Sequence, residues 1–280
     1  MKGKKKVSWD YFKRSKIAFL ENILDSKIFF GKKKIVPYGA HWIFFNESFN
    51  NNELGSDGHP KRGQFFPLLK GYKRMFAGAN LVFKKKIYFD DKIKKISEIN
   101  SFSKKKSNEK NIFFFKLTNV YLRDNTEVLR ELQTIAFVKN DHSSNSIKNN
   151  STGLALIHKK NFKYDNINLF RYSALTYNSH RIHYDLDYTI NVEGHRNLLV
   201  HGPLTATTVL NELYNITKCS INEFSFSIHK PIYVNEKVLL KVYFLKLDKS
   251  KLIAKVFKNK NVLAFKSEIK LKNQAKFSKG

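Results

Sequence analysis

The chain holds one cysteine, Cys219, among 280 residues. That excludes an internal disulfide and a cysteine-based metal cluster, and it fits a reducing compartment. Acidic residues are scarce too: 23 Asp and Glu stand against 52 Lys and Arg, a formal net charge of +29. No run of about 18 uncharged apolar residues occurs, so no membrane-spanning helix is expected. The first twenty residues are basic, but charge interrupts their apolar residues, which excludes a secretory signal. Asp10 and the dominance of Lys over Arg argue against a mitochondrial presequence. The expected location is cytoplasmic, or the mitochondrial matrix in a eukaryote.

What is abundant is lysine, spread along the whole chain together with Asn, Ile and Phe. A nucleic-acid-binding arm would gather its charge on one segment or face. The even spread is read instead as AT-rich codon usage, with no specific nucleic acid as partner, although a field of this sign attracts phosphorylated or acidic carriers.

Two segments resemble each other. KKKIYFDDKIKKISEI (84–99) and HKPIYVNEKVLLKVYF (229–244) place Ile87-Tyr88 and Ile232-Tyr233 at an offset of 145 positions. Each reads as a hairpin around a polar turn, and further strand patterns follow in both halves at 111–122, 128–138, 252–257 and 262–271. An offset near half the length implies a duplicated α+β unit. The expected organisation is a first unit over 1–140, a linker over 141–164 and a second unit over 165–280. An amphipathic helix is expected around 10–28, carrying Phe12, Ile17, Leu20, Ile23, Leu24 and Ile28. The clearest helix is 201–217, with Pro203 suited to its first position.

LTYNSHRIHYDLD (175–187) is the least ordinary stretch, rich in His and Asp in a chain with nine histidines. Three readings fit it. His180-x-x-His183 with Asp185 offers metal ligands, though no H-E-x-x-H is present, and the expectation is no metal. Asn178 and His183 diverge by about 140° on a continuous helix, so they converge only if a loop precedes a helix start. Asp185 is the natural N-cap for a short helix through LDYTI, and the imidazole and amide then hold a water between them for proton transfer. Polar loop filling is the third reading. Gly202, at the head of the clearest helix, offers a backbone N–H at a positive helix end to a carbonyl gaining negative charge.

The stretch 169–210, LFRYSALTYNSHRIHYDLDYTINVEGHRNLLVHGPLTATTVL, resembles the catalytic half of the MaoC-like dehydratases. Its nearest branches are the mesaconyl-CoA hydratases and the mitochondrial 3-hydroxyacyl-thioester dehydratases. LGSDGHPKRGQFFP and KRMFAGANLVF in the first half are similar to the N-terminal domain of that branch. The resemblance implies an α+β double hot-dog fold, two sheets each wrapped around a helix and packed as a pseudo-dimer, with a homodimer of such units left open. It implies a hydro-lyase acting on 2-enoyl or 3-hydroxyacyl thioesters of coenzyme A or an acyl carrier protein, including C5 dicarboxylic substrates, with no cofactor. His183 matches the catalytic histidine, while Asn178 stands where the common motif has Asp, so Asn178 is expected to orient water. Gly202 matches the thioester-binding glycine. His180, Arg181, Tyr177 and Arg171 are assigned to substrate contact, Asp185 to the cap, and Asp57-Gly58-His59-Pro60 to a tight turn outside the site. A binding protein without turnover and a basic nucleic-acid-binding module are the alternatives.

Overall fold

In this computed structural model, residues 3–25, 34–63, 65–107, 110–139 and 153–273 are described. The first half contributes β1 (Lys5–Tyr11), α1 (Arg14–Ile23), β2 (Lys73–Phe83), β3 (Lys92–Ser107), β4 (Lys110–Arg123) and β5 (Thr126–Val138). The second contributes β6 (Leu154–Phe162), α2 (Asn166–Thr176), α3 (Leu186–Asn191), α4 (Gly202–Thr217), β7 (Ile221–Ile228), β8 (Val238–Leu245), β9 (Asp248–Lys258) and β10 (Val262–Leu271). The strands are rich in β-branched and aromatic residues. In β10, Ser267, Ile269 and Leu271 are buried while Glu268 and Lys270 face out, the period-two pattern of a half-buried strand.

All ten strands join one sheet in the order β1-β3-β4-β5-β2-β7-β10-β9-β8-β6. Read outward from its centre, each half has the same order, β2-β5-β4-β3-β1 and β7-β10-β9-β8-β6. The two meet where β2 pairs antiparallel with β7, from Gly78↔Ser227 to Val82↔Glu223.

The repeat seen in the sequence is real at atomic detail. Val36 N–H donates to Ile87 O at 2.9 Å, and Val200 N–H donates to Ile232 O at 2.9 Å. Asp91 accepts from Tyr88 N–H at 2.8 Å, and Glu236, 145 positions later, accepts from Tyr233 N–H at 3.1 Å. Asp90 (φ 66°) and Asn235 (φ 62°) both take the left-handed conformation that short polar side chains tolerate in turns. The hairpin reading is corrected, however. Each turn closes on its own backbone, Asp91 N–H to Tyr88 O at 3.2 Å and Glu236 N–H to Tyr233 O at 3.1 Å, but its entering arm pairs in an isolated bridge, Ile35↔Tyr88 or Leu199↔Tyr233, while β3 and β8 pair with other strands.

Three boundaries differ from expectation. Within the expected linker, residues 141–152 lie outside the described ones, but Leu154–Phe162 is the edge strand β6, paired with β8. An edge strand buries little, so it carries no apolar alternation to read. The first helix is shorter than 10–28: Phe12 is buried ahead of it, and Ile28 lies outside the described residues. Pro203 takes the second position of α4, after Gly202.

The halves also differ in what their sheets enclose. The second wraps α4, whose Leu204, Val209, Leu210 and Leu213 are fully buried. At the matching place after Val36, the first half has only a 3-10 turn, Ala40–Ile43, lying against α4. A Cβ on the preceding Gly39 (φ 85°) would stand 2.8 Å from Thr207 Oγ1. Among the described residues no helix is long and apolar enough to cross a membrane.

Candidate active site

The Asn-His segment is shaped by three caps. Asp165 and Asn168 bond reciprocally at the start of α2, at 2.8 and 3.0 Å, a capping box. Tyr177 (φ 51°) ends α2 in the left-handed conformation, and Asn178 N–H turns back to Ser173 O at 2.9 Å. Asn178 Oδ1 then accepts His180 N–H at 3.1 Å, so its amide NH2 is left as a donor. A 3-10 turn, Arg181–His183, follows, and Asp185 caps α3 by accepting Tyr188 N–H at 3.0 Å. A loop ahead of a capped short helix is the geometry that lets Asn178 and His183 line one cavity.

His183 is buried at the end of that turn. Its Nδ1 lies 2.8 Å from Leu199 O. A carbonyl only accepts, so Nδ1 carries the proton and Nε2 keeps its lone pair. Burial pushes the His183 pKa down to about 4 against the opposing pull of the Leu199 bond, so the ring is neutral at neutral pH. His201 stacks on it with ring centroids 3.6 Å apart, and His201 Nε2 lies 2.9 Å from Ser173 Oγ. Burial, then the neighbouring His183 and His180, also hold His201 well below the usual range.

Gly202 N–H is the first of α4, one of the four groups that a helix leaves unpaired at its start. His201 makes no side-chain cap there, and Pro203 has no N–H to compete. The helix end therefore faces the cavity as a donor of positive potential. A Cβ on Gly202 would stand 2.5 Å from Ile228 Cδ1 and 3.4 Å from Phe76 Cδ1, so the position has no room for a side chain without repacking.

The cavity measures about 650 Å³ and takes its walls from both halves. His183, His180, Asn178, His201 and Gly202 form one side, and Phe66, Phe76, Phe114 and Ile135 of the first half form an apolar side. Asp57 and His59 also line it, which corrects their expected placement outside the site. Their segment is a tight turn, with Gly58 N–H on Gly55 O at 2.9 Å, but the turn is docked on the Asn-His loop. Asp57 O accepts Arg181 N–H at 3.0 Å, Gly58 O accepts Ser179 Oγ–H, and the His59 and His180 rings are 4.0 Å apart. Burial, then the Arg74 charge, pushes His59 down to about 4.

Three of the expected contacts lie elsewhere. Arg171 and Tyr177 are exposed and take no part in the cavity wall. Arg181 grips Asp185 at 2.9 and 2.7 Å, lies 4.1 Å over the Tyr188 ring, and reaches Ser56 O at 3.1 Å, so it braces the loop. The sequence reading also passed over His201, although the H-G-P string set it beside Gly202, and over Arg74, which carried no local signal.

One group has metal-ligand geometry: atoms of Asp57, His59 and His180 lie within 4.8 Å of one another. Arg62 already holds Asp57 Oδ2 at 3.2 Å, and the charge of Arg74 acts on both histidines. A divalent cation would enter a positive setting with its only carboxylate engaged, so the donor set fits one poorly.

Such a cavity, walled by two repeated halves of one sheet, belongs to a known architecture. A MaoC-like dehydratase from Phytophthora capsici superposes with a TM-score of 0.75 over 97% of this chain and 96% of that one, at 8% identity. A double hot-dog protein of Mycobacterium tuberculosis gives 0.63 over 97% and 96%, at 10% identity. The fold is thus a double hot-dog. The family model of hydroxyacyl-thioester dehydratase type 2 matches residues 39–234, and the chain belongs to that family. Mesaconyl-C4-CoA hydratase of Chloroflexus aurantiacus is 30% identical over 196 residues, 69% of each chain. The protein is an acyl-thioester hydro-lyase.

Proposed function

We propose that the chain adds water to 2-enoyl thioesters, and removes it from 3-hydroxyacyl thioesters in reverse, with His183 as the group that moves protons. The observation that carries this is the Nδ1–H bond from His183 to Leu199 O, which leaves Nε2 basic in a cavity that also receives the head of α4. In hydration, Nε2 takes a proton from water as the oxygen bonds to C3. The C2–C3 π electrons move toward the thioester, whose oxygen gathers charge against Gly202 N–H and the helix end. The proton held on His183 then passes to C2 as the carbonyl re-forms. Asn178 donates its amide to hold the water and takes no proton itself. No step is routed through a metal or redox group.

The apolar first-half wall gives the acyl chain a place beside the reacting atoms. Coenzyme A and an acyl carrier protein both suit the positive field as carriers. The test is a panel of 2-enoyl-CoA substrates, following loss of the conjugated thioester absorbance. Turnover supports the reading. Tight binding of the panel without turnover would leave a thioester-binding protein instead.

A further inference from the structure

Where the second half has α4, the first half sets the turn Ala40–Ile43, and Trp42 on that turn lines the cavity that holds His183. Behind it lies Glu131 of β5, a carboxylate with no exposed surface. Four donors converge on it. Trp42 Nε1–H and Gln133 Nε2–H reach Oε1 at 2.8 and 2.9 Å, and Asn119 Nδ2–H and Tyr121 O–H reach Oε2 at 3.0 Å each. Asn119 is itself fixed by Ser97 Oγ–H at 2.6 Å. Burial alone would raise the Glu131 pKa, but His41, Trp42 and Gln133 hold it down at about 2, so the group is ionised. A buried carboxylate is costly to desolvate, and an apolar side chain would often pack in its place as stably. What a saturated network gives instead is fixed geometry. Two of its four donors, Trp42 and Gln133, are walls of the cavity.

The neighbours of Trp42 set its depth. Ile228 Cδ1 lies 2.5 Å from where a Cβ on Gly202 would stand. Phe226 is two residues back along β7 on the same face, about 7 Å from Ile228. Trp42 meets the Phe226 ring edge-on, with centroids 6.0 Å apart. Thr205, which also lines the cavity, lies about 4.5 Å below Gly202 along the axis of α4. An acyl chain whose thioester oxygen sits on Gly202 N–H therefore runs down α4 and β7 until it meets the indole. We infer that Trp42 is the end wall of the acyl pocket, held in place by Glu131, and that the pocket takes acyl groups of a few carbons with an apolar end. The inference rests on the proposed hydration site, whose thioester end it takes as fixed.

The experiment measures kcat/KM for crotonyl-, 2-hexenoyl- and 2-decenoyl-CoA on the full chain and on Trp42→Ala, Trp42→Leu and Glu131→Gln. The unmutated chain should favour the two shorter substrates. The decenoyl-to-crotonyl ratio should rise about 10-fold or more in Trp42→Ala, since single methylenes at a fitted apolar wall already carry that scale, and by less in Trp42→Leu. Glu131→Gln should fall between the unmutated chain and Trp42→Ala, because the indole is then held less firmly. Equal losses at every chain length would make Trp42 a packing residue and overturn the inference, as would a preference of the unmutated chain for decenoyl-CoA. An unmutated ratio in Glu131→Gln would overturn the part given to Glu131.

A second measurement needs no turnover and keeps Trp42 in place. The chain has two tryptophans, and the other, Trp9 on β1, is exposed. In Trp9→Phe the emission of Trp42 is followed as hexanoyl-CoA, butanoyl-CoA or coenzyme A alone is added, with calorimetry recording binding. Emission that changes with the acyl thioesters and not with coenzyme A upholds the end wall even if hydration fails. Hexanoyl-CoA that binds without changing the emission refutes it, and so does the absence of any binding.

Discussion

The ring of His183 lies nearly parallel to that of His201, planes 21° apart, while its Nδ1 is tied to Leu199 O. Two cationic rings at a centroid separation of 3.6 Å would repel strongly in a dry interior, so both stay neutral. The His183 ring is thus held from one side by a carbonyl and from the other by a stacked ring, the arrangement that the proposed role as a base requires.

This sets the pH dependence. An unfolded histidine titrates near about 6.5, whereas burial takes native His183 down to about 4. Because the working form is the neutral ring, the acid limb of kcat/KM should lie near pH 4 and not near 6.5. A limb centred above about 6 would contradict a buried, neutral base.

Stability carries the same sign. Between pH 6.5 and 4 the unfolded chain binds a proton that native His183 refuses. Stability is thus full above the unfolded value and falls as pH drops through that window. Thermal unfolding followed from pH 7 to 4.5 should show a shallower fall in His183→Gln than in the unmutated chain, with His59, His180 and His201 keeping part of the slope. An identical slope would mean that His183 is not held neutral.

Asn178 tests the water-holding role. Asn178→Asp keeps an acceptor for His180 N–H and restores a carboxylate beside His183, so activity should be retained or rise. Asn178→Ala loses the loop bond, at about 1 kcal/mol, and lowers activity by less than the His183 substitution does. Steady-state rates with unfolding midpoints separate the two effects. A dead Asn178→Asp enzyme with an unchanged midpoint would argue that the amide itself is required.

Gly58 tests the contact between halves. At φ 83°, a Cβ there would come 1.9 Å from Ser179 O, a backbone atom that cannot yield without moving the catalytic loop. Gly153 has a similar φ of 78° with nothing within 4 Å. Gly58→Ala should cost well over the roughly 1 kcal/mol of backbone strain that Gly153→Ala shows, and should cut activity as well. Equal effects from the two substitutions would mean that the 57–60 turn does not hold the site.

These positions show how far the sequence could be read. Asn178, His183, Asp185 and Gly202 sit within 25 positions on one half, and their order alone signals a loop, a cap and a helix head. The repeat was visible because Ile87-Tyr88 and Ile232-Tyr233 keep both the turn and its closing acid. Asp57 and His59 were placed outside the site because Gly58 meets Ser179 from 121 positions away, and nothing local reports such docking. Arg74 was one basic residue among 52 until the fold set it in the cavity wall. β6 stayed hidden because its apolar residues, Leu154 to Ile157 and then Phe162, flank His158-Lys159-Lys160-Asn161 without the alternation that marks a strand.

The most direct test of the account is the hydration rate of His183→Ala on a 2-enoyl-CoA that the unmutated chain turns over, measured on protein whose unfolding transition remains cooperative. Positioned acid–base groups contribute about 10²–10⁴-fold, and with His183 as the only proton carrier the rate should fall at least that far. A folded His183→Ala chain that hydrates the substrate near the unmutated rate would contradict the assignment and move the chemistry to another group in the cavity.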